Sequence, residues 1–277
     1  MKLIDFDGLF DEKLTKFMEE NKNKYTEKQW ESLIPKLYQK FADTYVAKVK
    51  CTPREYYAKM SDGELVECLR AHIAEDIPTP EFLCEELEKR NATQLLLPLL
   101  KGDSVDEAMY AINLLQDDRN AFDAYFSVLT EERFDINVRE EITEIFKYTA
   151  DEVKERALQA YDNGLAKENM LEICSRVKAR DERIYERLLS AFLSGEETPM
   201  RASYLAAYGD ERALPHLLKA IEDKTIGFIE FQELKYAIEA LGGEYAEVRD
   251  FTDDKDYLAI EAASQKNALP DFGELKN

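Results

Sequence analysis

The side chains that could bind a metal or act as nucleophiles and bases are few in this chain. Its histidines and cysteines are His72, His216, Cys51, Cys68, Cys84 and Cys174. A zinc site needs a tetrahedral set of ligands, and neither histidine has a second ligand near it in sequence. The cysteines form no CxxC pair, and three of them lie in apolar helical patterns, where a free cysteine behaves as a small core residue. We therefore predict a reduced protein without disulfides, bound metal or cofactors.

Catalytic patterns are also missing from the sequence. A serine nucleophile needs a nearby base and an orienting acid, and the chain contains neither GxSxG nor a phosphate-binding glycine loop. With 58 Asp and Glu residues in the chain, a pair of carboxylates at glycosidase spacing is unremarkable. The sequence predicts no catalytic residue, and the chain is not expected to be an enzyme.

The segment LIDFDGLF places Asp5 and Asp7 after a short apolar run. It resembles the first motif of haloacid-dehalogenase-like phosphatases, and the resemblance would make Asp5 the nucleophile and Asp7 the general acid. That chemistry needs a buried parallel strand, Mg²⁺, a later lysine and a second acidic pair. Leu9 replaces the usual threonine, and no run of buried strands follows. We predict instead a helix start with carboxylates near its positive end.

A second acidic cluster, Asp253, Asp254 and Asp256, suggests a calcium loop. The EF-hand pattern requires Gly at the sixth loop position and Glu at the twelfth. Counted from Asp254, these positions hold Ala259 and Gln265. The cluster is therefore predicted to be a solvated linker.

The elements that position these side chains are predicted to be helices, because a sequence signal recurs about every 30 residues. Asp151, Asp181 and Asp210 are each followed by Glu and, seven residues after the Asp, by Leu. The steps between the aspartates are 30 and 29 residues. A period of this size is typical of helical hairpins that stack on one another.

Helix starts are marked by capping boxes, in which a Ser or Thr and a Glu or Gln bind each other's backbone amides. These pairs are Thr26/Gln29, Thr52/Glu55, Ser61/Glu64 and Ser104/Glu107. Helices are predicted over 8–20, 27–47, 53–59, 62–74 and 80–90, with Pro35 bending or splitting the second. From residue 91 the predicted outer helices are 92–101, 120–130, 152–162, 182–194 and 211–222. The predicted inner helices are 105–116, 137–148, 166–178, 199–208 and 228–241. No strand is predicted.

Fragments of a known repeat occur in the same region. They are LLPLL with Pro98, DINVREEI with Val138 and Arg139, TPMRASYLAAYG with Met200 and Arg201, ALPHLLKAI with Pro215, and AIEALGG ending at Gly243. Their order resembles HEAT-like repeats over roughly residues 91–243, although the hairpin at 152–178 lacks both the proline and the Val-Arg pair. The resemblance implies an all-α fold, an α-α superhelix of about five helical hairpins.

The resemblance also implies structural roles for four residues. Pro98 and Pro215 would bend the outer helices and curve the stack. Arg139 and Arg201 would pair with acidic residues between repeats, with Asp135 or a neighbour as the partner of Arg139. These positions are therefore predicted to be structural rather than ligand-binding.

Three regions are predicted along the chain. Residues 1–90 do not keep the 30-residue period and are predicted to form an irregular helical cap or small helical domain. Such a cap would cover the open apolar end of a stack. Residues 91–250 are predicted to form the repeat solenoid, and 251–277 an acidic tail.

The net charge of −21 lies mainly in the repeat region. Residues 1–90 carry 15 basic and 19 acidic residues, a balance of −4, whereas the remainder carries 22 and 39, a balance of −17. This charge repels nucleic acid. No apolar run is long enough to span a membrane, and the first residues are too acidic for a secretory signal. We therefore expect a cytoplasmic protein that binds neither nucleic acid nor membrane.

Candidate binding residues lie on the predicted inner helices. Positions just after each Val-Arg pair tend to face the concave side, and helical spacing adds two more residues. The candidates are Glu140, Glu144, Ser203, Tyr236 and Glu239. They predict an acidic, partly aromatic groove on a non-catalytic scaffold that binds a basic peptide or a basic protein face. The alternatives are a helical-repeat enzyme with an unidentified substrate, an inhibitor that imitates nucleic-acid charge, and ordinary solvated helix positions.

Overall fold

A computed structural model describes residues 3–267, and the predicted all-α fold is confirmed there. The helices of the described residues are α1 Phe6–Glu20, α2 Glu27–Ala42, α3 Pro53–Ala58, α4 Asp62–Ala74, α5 Glu81–Arg90, α6 Thr93–Leu96, α7 Val105–Leu115, α8 Phe122–Thr130, α9 Ile136–Tyr148, α10 Ala150–Asp162, α11 Lys167–Ser175, α12 Glu182–Leu193, α13 Thr198–Tyr208, α14 Leu214–Ile221, α15 Phe228–Ala240 and α16 Lys255–Asn267. Short 3₁₀ helices cover Leu97–Lys101, Arg119–Ala121 and Glu211–Ala213. Among these residues the only extended pairing is an isolated bridge between Val46 and Cys51. No helix in this part of the chain is long and apolar enough to cross a membrane.

Local capping explains where several helices begin. Thr26, Thr52 and Ser61 each form a complete capping box at the start of α2, α3 and α4. The hydroxyl of Ser104 accepts a hydrogen bond from the Glu107 amide at 3.2 Å before α7. Because each box satisfies amides that have no partner within the helix, these starts could be predicted from sequence and are confirmed.

The end of α2 differs from the prediction. The helix predicted over 27–47 ends at Ala42, and Pro35 lies within it without splitting it. The Thr44 amide donates to the Phe41 carbonyl at 2.9 Å, which tightens the last turn. The amide of Val46 then donates to Cys51, so the chain leaves the helix. The helix predicted to reach residue 178 likewise ends early, at Ser175.

The chain forms two compact units, divided after Ile142. In the first unit, α4 packs on α5, α5 on α3 and α7, and α1 on α2. Helices therefore pair with their neighbours already within the first 90 residues, where an irregular cap is predicted. The proposed domain boundaries at residues 90 and 250 stay predictions.

The second unit contains three successive helical pairs, α10/α11, α12/α13 and α14/α15. The second members of these pairs also pack on one another, α11 on α13 and α13 on α15. We call these three the inner helices of the second unit. Packing of each pair on the next is what a helical repeat requires.

Recurring arginines connect successive pairs. Arg183 Nη2 lies 2.7 Å from Glu155 Oε1, and Arg212 Nη2 lies 2.9 Å from Glu182 Oε2. Each guanidinium also binds the aspartate two residues before it: Arg183 binds Asp181, and Arg212 binds Asp210. Two of the three recurring aspartates, Asp181 and Asp210, therefore cap a helix, whereas Asp151 lies within α10 and accepts bonds from the amides of Lys178 and Ala179.

We predict that Asp181 makes the stability of the chain sensitive to acid. Its hydrogen bond with Arg183 lowers the pKa of the Asp181 carboxyl from 3.8 to about 2. Because the folded-state pKa is the lower one, the ionised form favours folding. This contribution is present above pH 3.8 and is lost as the pH falls to about 2.

Urea denaturation of the Asp181→Asn variant across this pH interval tests the prediction. As the pH is lowered, the free energy of unfolding of the variant should fall less steeply than that of the wild type. In the control Asp253→Asn, at an exposed position, the free energy of unfolding should depend on pH as it does in the wild type. Identical slopes for Asp181→Asn and wild type would contradict the assignment.

The predicted acidic tail contains a helix, α16, up to residue 267. Asp254 accepts hydrogen bonds from the amides of Asp256 and Tyr257 at its start, and from the Phe228 amide at 3.1 Å. The rings of Phe228 and Tyr257 meet edge to face with their centroids 5.1 Å apart. The expectation of a solvated linker is therefore wrong at Asp254, which caps two helices. Residues 268–277 of the predicted tail lie outside the described residues.

Candidate binding face

An exposed stripe runs along α15. Phe231, Leu234 and Ile238 bury the opposite side of this helix. The exposed side carries Ile229 and Tyr236, which are 44% and 60% exposed and stand seven residues apart on one face. Glu233 and Glu239 flank them in the helical projection, and Glu239 is exposed. Sequence spacing therefore located Tyr236 and Glu239 but missed Ile229 and Glu233.

The neighbouring helix α13 presents short side chains. Ser203 and Ala207 are exposed, whereas Ala202 and Leu205 are buried. The Ser203 hydroxyl donates to the Met200 carbonyl at 2.7 Å. The helix α13 packs directly against α15, and the exposed side chains named on α13 are short. We call Ser203, Ala207, Ile229, Glu233, Tyr236 and Glu239 the α13–α15 face.

The two remaining candidates do not belong to this face. Glu140 is exposed on α9 in the first unit. Glu144 forms an ion pair with Lys147, whose ammonium also lies 2.8 Å from Glu172 Oε1 on α11. Burial lowers the pKa of Lys147, but its bonds to the two carboxylates outweigh this and raise the pKa. Glu144 is therefore partly neutralised, whereas a free acidic group was expected.

Arg201 occupies a structural position of the kind implied by the HEAT-like resemblance. Its guanidinium donates to Glu168 Oε1 at 2.6 Å, to Ser194 Oγ at 2.7 Å and to the Ala191 carbonyl at 2.9 Å. These bonds join α13 to α11 and to the end of α12. Its side chain is only 10% exposed, so it is not available to a ligand.

The two prolines lie at helix starts, and the acidic partner expected for Arg139 stays a prediction. Arg139 is half-buried on α9, and Asp135, its expected partner, accepts from the Val138 amide at 3.2 Å. Pro98 lies at the start of the 3₁₀ helix that follows α6, and Pro215 lies in the first turn of α14. Pro215 therefore occupies a position where a missing amide costs no helical hydrogen bond, whereas Pro98 lies where α6 gives way to the 3₁₀ helix.

A cavity of 480 Å³ opens between the α12/α13 and α14/α15 pairs. His216, Lys219, Asp223 and Glu230 contribute its polar lining. Asp223 is already engaged, because it accepts bonds of 2.8 Å from the Thr225 amide and hydroxyl. The backbone bond is the main reason that its pKa is lowered. Within residues 3–267, no group of three His, Cys, Asp or Glu side chains is arranged to hold a metal ion.

The predicted helix start at Asp5 is confirmed. Its carboxylate accepts from the Gly8 amide at 2.7 Å and caps α1. Asp7 lies inside the helix and accepts from the Tyr38 hydroxyl at 2.6 Å. Burial raises the pKa of Asp7, although this hydrogen bond acts in the opposite direction. No strand delivers either carboxylate, so the geometry of the phosphatase motif is missing.

We predict that His72→Leu stabilises the chain. His72 is completely buried on α4, and neither ring nitrogen has a hydrogen-bond partner among the atoms of residues 3–267. A buried polar group without a partner costs free energy, whereas an apolar side chain of similar size does not. The free energy of unfolding should rise by about 1 kcal/mol, which urea denaturation measures. A loss of stability would show that the imidazole makes a stabilising bond, for example through a buried water.

Comparison of the chain with protein-family models, with curated proteins and with solved structures found no match. The packing of α11, α13 and α15 is compatible with a helical repeat, and the HEAT-like resemblance stays a prediction from the sequence fragments. Function is inferred from the residues and their geometry alone.

Proposed function

We propose that this chain is a non-catalytic scaffold of HEAT-like repeats whose α13–α15 face binds a basic segment of another protein. The observation that carries the proposal is the exposed aromatic ring of Tyr236, 60% accessible on an inner helix, between the carboxylates of Glu233 and Glu239. Tyrosine is a frequent anchor at protein interfaces because its ring buries a large area and keeps a polar tip.

The chemistry of the face favours arginine in the partner. A guanidinium can stack on the Tyr236 ring and bind a carboxylate at the same time. The side-chain carboxylates of Glu233 and Glu239 have no ion pair or hydrogen bond within the described residues, so their charges remain available. The exposed side chain of Ile229 adds an apolar contact for an aliphatic residue of the partner.

The charge of the whole second unit supports the same partner. Residues 143–277 contain 28 acidic and 18 basic residues, a balance of −10. Such a field raises the rate at which a basic segment encounters the surface, and salt weakens it. The short side chains of Ser203 and Ala207 leave space in which the partner can lie against α13.

The experiment measures fluorescence anisotropy of a fluorescein-labelled peptide of arginine, leucine and serine titrated with the full chain. We expect saturable binding that weakens as NaCl is added. The double substitution Glu233→Lys/Glu239→Lys should weaken binding by about tenfold or more, because it replaces two attractions with repulsions. The matched control is Glu186→Lys, which changes an exposed carboxylate on α12 and should bind almost as the wild type does.

Two results would overturn the proposal. One is the absence of saturable binding at low salt. The other is a loss of affinity per substituted carboxylate that is the same for Glu233→Lys/Glu239→Lys and for Glu186→Lys. The peptide would then respond only to the net charge of the chain.

A further inference from the structure

The hairpin of α1 and α2 in the first unit leaves an apolar surface uncovered. Only Phe6 and Phe10 of α1 and Phe41 and Ala42 of α2 are fully buried. Several larger apolar side chains of the same helices are only half-buried. They are Leu14, Phe17, Met18, Trp30, Leu33, Ile34 and Leu37. This partial exposure leaves apolar contacts available to another molecule.

Part of this surface is a groove between the two helices. Its cavity of 150 Å³ has an apolar wall formed by Phe10, Leu14, Phe17, Leu37 and Phe41. The α1 residues of the wall are spaced i, i+4 and i+7, so they follow one helical face over about 10 Å. A groove of this form matches an amphipathic helix whose apolar side chains recur every three or four residues.

Two lysines line the rim of the groove, Lys13 on α1 and Lys40 on α2. Neither forms an ion pair within the described residues, and the Lys13 ammonium lies 4.9 Å from the centroid of the Phe41 ring. Residues 6–42 hold seven acidic and seven basic residues, whereas the whole chain has a net charge of −21. The hairpin thus has no net charge, an apolar groove and, at its rim, two lysines without ion pairs among residues 3–267, on a strongly acidic protein.

We propose that this groove, which we call the α1–α2 groove, docks an acidic amphipathic helix of another protein. The partner inserts apolar side chains between α1 and α2 and places carboxylates against Lys13 and Lys40. A basic helix is disfavoured by the same two lysines. A second copy of the chain docked through the same groove is disfavoured because its Lys13 and Lys40 would face those of the first copy. This groove shares no residue with the α13–α15 face, and it prefers an acidic partner where that face prefers a basic one.

Trp30 provides the signal for the test, since it is the only tryptophan of the chain. Its ring centroid lies 6.0 Å from that of Phe17 at the groove wall and 4.8 Å from that of Tyr25. The probe is a synthetic helical peptide with leucine and phenylalanine at i, i+3, i+4 and i+7 and glutamate on both flanks. We expect a saturable change in Trp30 fluorescence when the full chain is titrated with it.

Paired variants separate charge from apolar contact. Lys13→Glu/Lys40→Glu should weaken binding of the acidic peptide by about tenfold or more, because two attractions become repulsions. Lys16→Glu/Lys36→Glu makes the same charge change at exposed positions of the same helices outside the groove and should bind nearly as the wild type does. A peptide with lysine in place of glutamate should bind the wild type at least about tenfold more weakly than the acidic peptide.

Three results would overturn the proposal. They are no saturable signal with the acidic peptide, equal affinity for the acidic and basic peptides, and a dimer seen by sedimentation that the acidic peptide does not dissociate. The Glu233→Lys/Glu239→Lys chain should bind the acidic peptide like the wild type, so failure of this proposal and failure of the proposed function are distinguishable.

Discussion

Replacing Arg201 with methionine should lower the free energy of unfolding by about 3 kcal/mol. The guanidinium is nearly buried and binds Glu168, Ser194 and the Ala191 carbonyl. Methionine keeps much of the side-chain volume but leaves the Glu168 carboxylate without its cation and the carbonyl without its donor. Removal of one partner from a partly buried pair is costly because the Glu168 carboxylate, whose side chain is 35% exposed, keeps a charge that water meets only in part. Urea denaturation followed by circular dichroism measures the loss.

A second substitution tests whether the loss of stability comes from the unpaired carboxylate of Glu168. Glu168→Met combined with Arg201→Met should recover part of the stability, since both charges are then removed. Arg212→Ala is the matched control, because its guanidinium makes a similar ion pair with Glu182 but is 53% exposed. That variant should unfold at nearly the wild-type urea concentration. Equal effects of Arg201→Met and Arg212→Ala would contradict the structural role given to Arg201.

Leu234→Ala should have an effect of similar size, about 3 kcal/mol. Leu234 is completely buried on α15, the helix that packs on both α13 and α14. Truncation removes apolar contacts and leaves a cavity that the surrounding helices fill only in part. The comparison variant is Tyr236→Ala, two residues away on the exposed face. It should change stability by less than about 0.5 kcal/mol and yet weaken binding of the basic peptide.

The opposite pattern would contradict the orientation of α15. If Tyr236→Ala destabilised the chain and Leu234→Ala did not, the helix would bury the face that is described as exposed. The pair of variants therefore separates packing from binding with two residues of one helix.

Helix positions were predictable where the signal is local. The Thr26, Thr52 and Ser61 capping boxes depend on side chains three residues apart, so the sequence contains both partners. The recurring aspartates were also visible, although their purpose was not. Asp181 caps α12 and binds Arg183, which also binds Glu155 on α10. The bond to Glu155 becomes recognisable only when successive helical pairs are stacked.

Other features depend on contacts between distant residues. The start of α16 was not predicted. Asp254 caps this helix and also accepts a hydrogen bond from the Phe228 amide, 26 residues away, and the sequence does not reveal this second contact. His72 has no sequence pattern that distinguishes a buried imidazole from an exposed one. The 3₁₀ helix at Leu97–Lys101 replaced part of a predicted α-helix, since Pro98 cannot donate the hydrogen bond that an α-helix continues.

The candidate site was predictable only in part for the same reason. Tyr236 and Glu239, which helical spacing adds to the predicted groove, are exposed because the buried side of α15 repeats at the helical period, and their part in binding stays a prediction. The neutralisation of Glu144 had a local signal, Lys147 three residues later. The additional bond from Lys147 to Glu172 required α9 and α11 to be neighbours.

The most direct test of the central claim is hydrogen–deuterium exchange of the full chain with and without the basic peptide. Binding to the α13–α15 face should slow amide exchange in α13 and α15 and leave α12 and α1 unchanged, because a bound segment suppresses local opening of the helices that it contacts. Slower exchange confined to the outer helices or to the first unit, with α15 unaffected by saturating peptide, would contradict the account.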